Sequence, residues 1–156
     1  MEIDPQVKQA LLNIDFIKRY EALSKEYDLE RLGDKTRLKY LDGELVMDMI
    51  SEAGYIPGFD PKEKFFKFYE KIEDYRFGLH IVLYNGTVEL IWAVKDKEKS
   101  IAGMPWGIYS RLMIDPDYRI KMPNFSDYDE LEDILKTAFT IYEDFKQVFL
   151  EVAEVK

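Results

Sequence analysis

His80 is the only histidine in the chain, and no other side chain has an ordinary pKa near neutrality. A general base needs partners that position it. No Gly-x-Ser-x-Gly elbow accompanies His80, and Ser24, Ser51, Ser100, Ser110 and Ser126 stand in no local catalytic context. The residue reads as a half-buried strand histidine with a hydrogen-bonded ring. Carboxylates pair at Asp115 with Asp117, at Asp42 with Glu44, and in the run Asp127, Asp129, Glu130, Glu132, Asp133. Two carboxylates hydrolyse glycosides only at a set separation, which nothing local imposes. Asp115-x-Asp117 lacks a calcium loop's sixth-position glycine and twelfth-position glutamate, where Ile120 and Ser126 stand. With no cysteine, thiolate metal sites, disulfides and cysteine nucleophiles are excluded. Ile101–Gly107 has two glycines but no phosphate-loop spacing, and reads as a bulge, a bent strand entry or a ligand loop. These residues predict no catalytic group, no metal and no cofactor.

Surface character is more informative. The 156 residues carry a net charge of −9, which disfavours nucleic acid and anionic membrane as partners. Residues 127–156 hold nine acids against three lysines, a net of −6, so two thirds of the charge sits on the last fifth of the chain. Negative charge at a helix start is favoured by the macrodipole, by about 0.3–1 kcal/mol per group. Two acids would suffice for that. Asp127, Asp129, Glu130, Glu132 and Asp133 therefore form one candidate binding surface, suited to a basic protein partner, or else a merely solvated face. Apolar residues at 47% and charged residues at 34% suit a folded globular chain of one domain, 1–156. The start, Met1-Glu2-Ile3-Asp4-Pro5, has no signal-peptide pattern, and no apolar run nears membrane-spanning length, so a cytoplasmic protein is the expectation.

These residues need elements to position them. Asp4 and Pro5 open a helix whose stripe is Leu12, Phe16, Tyr20, Leu23 and Tyr27, with Gly33 as the stop. Val7, Leu11 and Ile14 form a second stripe, which implies a kink or contact on two sides. Residues 34–54 read as a helix at Glu44–Ile50 near Gly54, or as a hairpin turning at Asp42-Gly43; Met, Leu and Glu favour the helix. Asp60, Pro61 and Glu63 predict another helix, burying Phe65, Phe68, Tyr69 and Ile72. With Met47 and Met49 these make a core cluster, in which Phe66 is the one expected to be exposed or shared with another element.

Asn85-Gly86 between Phe77–Tyr84 and Thr87–Val94 predicts a type I′ hairpin, pairing Tyr84 with Thr87, Val82 with Glu89 and His80 with Ile91. One face is then wholly apolar, from Phe77, Leu79, Ile81 and Leu83 to Val88, Leu90, Trp92 and Val94. Lys95–Lys99 reads as a charged turn, Trp106–Ile114 as a third strand and Tyr118–Met122 as a short fourth one. Asp115-Pro116-Asp117 is a turn. Ser126 with Asp129 opens a long C-terminal helix that keeps its period to Val152. The expected fold is α+β: N-terminal helices, a four-stranded antiparallel sheet, and the long helix packed on its apolar face. His80, Tyr84 and Trp106 are the candidate residues of the open face.

The Asn85-Gly86 meander, then Pro123-Asn124-Phe125-Ser126 and the acidic helix, resemble in layout the small acidic immunity proteins that bacteria carry beside toxins. The likeness spans about residues 75–156 and carries over no site residue. It implies a small protein-binding protein that neutralises a toxin by direct binding. Two other classes stand beside it: a small-ligand-binding domain or enzyme using the open face around His80, and an oligomerisation module whose long helix pairs with its copy as a homodimer.

Overall fold

Asp4 accepts hydrogen bonds from the Gln6 and Val7 N–H groups and starts α1, Pro5–Asn13; α2 runs Phe16–Glu26. Val7 and Leu11 of one expected stripe are buried on α1 and Phe16, Tyr20 and Leu23 of the other on α2, while Leu12, expected on the second, lies in α1 and is exposed. The break falls at Asp15, whose φ of 57° lies in the left-handed region. A short 3₁₀ turn, Leu29–Leu32, ends at Gly33 with φ 57°. The computed structural model describes residues 2–33 and 35–155; Met1, Lys156 and Asp34, the first residue of the ambiguous stretch, lie outside these. That stretch holds a helix, α3, Gly43–Glu52, capped by Asp42.

The sheet has six antiparallel strands: β1 Gly58–Asp60, β2 Phe65–Ile72, β3 Tyr75–Tyr84, β4 Thr87–Trp92, β5 Val94–Asp96 and β6 Lys99–Ala102. The long strand β3 is central. β2 lines one edge of it, and β4 and β5 share the other in succession, with β1 and β6 outermost. The β3–β4 register is the one that Asn85-Gly86 dictates, and both turn residues have positive φ.

Three elements differ from the sequence expectation. Asp60 does cap a turn, through Lys62 and Glu63, but the chain leaves it at Lys64 as a strand, not a helix. Residues 65–72 alternate, sending Phe66 and Phe68 inward and Phe65, Lys67 and Tyr69 outward. Pairing with both β1 and β3 satisfies the whole ladder, which outweighs the capping signal. Phe66 is accordingly core, at 8% exposure. Trp106–Met113 is a helix, α4: its buried residues Trp106, Tyr109 and Ser110 keep helical spacing, while Leu112 and Ile114, on the supposed strand face, are exposed. Tyr118–Met122 is no strand; only Asn124 beyond it bridges to Thr87. Of the four expected strands two remain, β3 and β4; β1, β2, β5 and β6 are new, and the expected charged turn narrows to Lys97-Glu98 between β5 and β6.

The last helix, α5, is Tyr128–Val152, about 38 Å long at 1.5 Å per residue. Its cap is Asp127, one residue past the expected Ser126, because Asp127 accepts from the Glu130 N–H while Ser126 holds the Glu130 side chain. α5 covers the apolar sheet face through aromatic contacts: Tyr142 edge-on to Phe68, Phe145 tilted on Trp92 and Phe149 edge-on to Phe77, with centroids 5.0, 4.5 and 5.6 Å apart. α1 and α2 pack beside it. Among the described residues no helix is long and apolar enough to cross a membrane.

Candidate functional site: the outer sheet face

All helical packing falls on one side of the sheet. On the other side every side chain from Phe65 to Lys95 that points outward is half-buried or exposed. His80 lies at its centre. Its Nε2 pairs with the Tyr69 hydroxyl at 2.6 Å, and the Phe65 ring stacks on it at 4.2 Å. Tyr69 reaches His80 by lying across β3, over Gly78, its cross-strand neighbour. A Cβ on Gly78 would come within 2.6 Å of the Tyr69 ring, so only glycine leaves the ring this path. On the far side of Tyr69 the Arg76 guanidinium sits 4.2 Å from the ring centroid, a cation–π arrangement.

The electrostatics of this face run against those of the molecule. Lys71 pairs directly with Arg76, and Arg76 with Lys95, so three cations stand in one row across three strands. Like charges set directly opposite in a sheet repel. Among the described residues none of the three forms an ion pair, and the Arg76 Nε is buried with no hydrogen-bond partner. Burial, Lys67 and Arg76 hold the His80 pKa below the usual imidazole range, against a weaker opposing pull from Asp60. The ring is therefore neutral at about pH 7, with Nε2 already engaged. The cavity at Tyr69, Arg76 and His80 is about 120 Å³, well below the roughly 300 Å³ where small-molecule sites begin.

Of the open-face residues named from sequence, His80 and Tyr84 share this face, Tyr84 standing 72% exposed at the hairpin tip. Trp106 does not belong to it. It is fully buried on the opposite side, stacked on Trp92 at 4.9 Å and edge-on to Phe16 and Tyr20, because α4 replaces the strand that would have carried it outward. The acidic run is divided in its duties. Asp127 caps α5. Glu130 takes both Arg31 nitrogens and Ser126, and Glu132 pairs with Lys136 along the helix. Asp129 and Asp133 are exposed, and neither is bonded or ion-paired among the described residues. Sequence reasoning missed Lys71, Arg76 and Lys95 as a group, and Tyr69 as the partner of His80. Alternation through Phe65–Ile72 was the signal that would have placed them.

Comparison of the chain with protein-family models, with curated proteins and with solved structures returned no match.

Proposed function

We propose that the protein works by binding another protein, and that the outer sheet face is where the partner docks. The row Lys71–Arg76–Lys95 carries this reading. Among the described residues the three cations form no ion pair, although Asp74 and Glu98 border them, and one has a buried donor; their mutual repulsion costs folding free energy that carboxylates presented by a partner would recover. Tyr69 beside the row, with Phe65 and Tyr84 farther along the same face, supplies the aromatic surface that interfaces favour. Neutralising a toxin by direct binding, the role the layout resembles, is one form of this function. Catalysis at His80 is disfavoured by the Tyr69 hydroxyl that engages its Nε2 and by the small cavity there. Homodimerisation through this face would set cation row against cation row, and the apolar stripe of α5 is spent inside its own chain. The partner docks by its acidic surface, which replaces the basic partner expected from the α5 charges.

Capture from a lysate of the source organism tests this with three baits: wild type, Lys71→Glu/Arg76→Glu/Lys95→Glu, and Asp129→Asn/Asp133→Asn. A protein retained by wild type and by the helix variant but lost from the sheet variant supports the reading. Loss from the helix variant alone, loss on nuclease treatment, or no salt-sensitive capture by wild type overturns it.

A further inference from the structure

The two-residue turn at Asn85-Gly86 sets the hydrogen-bond parity of β4. Thr87, Glu89 and Ile91 bond to β3, so Val88, Leu90 and Trp92 direct their backbone groups to the opposite edge. There the Val88 N–H donates to the Pro123 carbonyl at 3.0 Å, and the Trp92 N–H to the Met104 carbonyl at 3.2 Å. Between these two rungs the Leu90 N–H and C=O meet no partner among the described residues. The chain between Pro105 and Met122, which includes α4, bows away from the edge at this point. It leaves a groove of about 470 Å³, within the range of occupied binding sites.

Several features of the groove have no partner within the chain. Tyr20 lines it and is 2% exposed. α4 begins at the groove with Pro105 as its cap, which has no side-chain acceptor to offer, so the Gly107 N–H is uncapped. Arg119 and Lys121 stand on the rim with no ion-pair partner among the described residues, beside Arg111, which donates to the Pro116 carbonyl, and against one acid, Glu89, in a molecule of net charge −9. The walls are apolar, from Ile108, Ile120 and Met122.

We propose that this groove captures the C-terminal end of another protein chain, its last peptide group pairing with the Leu90 backbone and its carboxylate held by Arg119, Lys121 and the start of α4. An unpaired strand rung calls for a peptide group, and the cations call for an anion. Closure of the edge on both sides decides for a terminus. The bridges at Thr87–Asn124 and Ile91–Pro105 are four residues apart, about 13 Å along β4, so a strand running through would meet chain at both ends. A chain that stops in the gap meets it at one end only. The apolar walls select an apolar last side chain. This site is separate from the outer sheet face and stands independently of the function proposed for that face.

The test is an NMR titration of the full chain with N-acetyl-Gly-Gly-Ala-Leu, as the free acid and as its C-terminal amide, with sodium acetate as the control anion. The free acid is expected to shift the Leu90 and Gly107 amides saturably. The amide, and the free acid with Arg119→Glu/Lys121→Glu, are each expected to bind about tenfold or more weakly. Both rim residues are exposed, so the double variant folds, and its unperturbed amides verify that. No shift up to about 10 mM peptide, equal shifts with acid and amide, or the same shifts with acetate would each overturn the proposal. So would shifts centred on Lys71, Arg76 and Lys95. Only that last outcome bears on the sheet face, whose cations it would show taking a carboxylate; the others leave protein capture by that face to its own variants.

Discussion

Replacing Glu130 by Gln removes one charge and no volume, at a point where the acidic helix is tied to the N-terminal region. The carboxylate accepts from Arg31 Nη1 at 2.9 Å and Nη2 at 3.3 Å, and from the Ser126 N–H and hydroxyl at 2.7 and 2.8 Å. Arg31 in turn donates to the Asn124 carbonyl at 2.7 Å, beside the bridge that closes the β4 edge. Burial raises the Glu130 pKa, but the Ser126 groups and Arg31 lower it by more, so the balance lies below the usual carboxylate range. Both side chains are partly exposed, at 27% and 23%, so the ion pair itself contributes only about 0–1 kcal/mol. The charge-assisted bonds from Ser126 add to this, although Gln keeps one acceptor oxygen, and the expected loss is about 1–2 kcal/mol. With a urea slope of about 2 kcal/mol/M, the midpoint falls by about 0.5–1 M near pH 7. A folded-state pKa below the unfolded value stabilises fully above the unfolded value, about 4.3, and that stability is lost as pH falls through the folded one. The gap between wild type and Glu130→Gln is therefore wide at about pH 7 and narrows once pH falls below the unfolded value, closing as it passes the folded one. Equal midpoints at about pH 7, or a gap that does not narrow as pH is lowered below about 4.3, would refute the role assigned to Glu130.

Trp92→Ala removes the ring that meets Phe16, Trp106 and Phe145 under the sheet, and is expected to cost about 3–5 kcal/mol in urea or thermal unfolding. Gly78→Ala drives a methyl group against the β2 backbone and the Tyr69 ring, with an expected loss of about 1–3 kcal/mol and a displaced Tyr69 resonance in NMR spectra. His80, followed by NMR titration, should protonate below the ordinary imidazole value of about 6.5, and Arg76→Ala should move its midpoint upward, since removing a nearby cation eases protonation. An unmoved midpoint in that variant would show that Arg76 does not bear on the Tyr69–His80 pair. Asp129→Asn/Asp133→Asn, at two exposed positions unbonded among the described residues, should cost no more than about 1 kcal/mol in urea unfolding, the macrodipole share of Asp129 in the first turn of α5.

Where local chemistry has one low-energy solution, the sequence alone determined the structure. Asn85-Gly86 admits positive φ at both turn positions, and the register of β3 on β4 follows from that turn without reference to the rest of the chain. Asp4-Pro5 and the sustained period from Leu131 to Phe149 determined a first and a last helix in the same way, and the long apolar face of the hairpin told which side the last helix covers. Residues 60–72 and 106–114 were not decidable locally. A capping signal and an aromatic-rich run are compatible with helix or strand until a neighbour is present to take the ladder hydrogen bonds, and β3 is that neighbour for residues 65–72. The candidate sites follow the same division. His80 on the outer face was legible from the turn. Its contact with Tyr69 over Gly78, the row Lys71–Arg76–Lys95, and the unpaired Leu90 rung each join residues from separate strands or loops. Charges and backbone groups on different strands meet only once the pairing of those strands is set, and that pairing belongs to the tertiary structure.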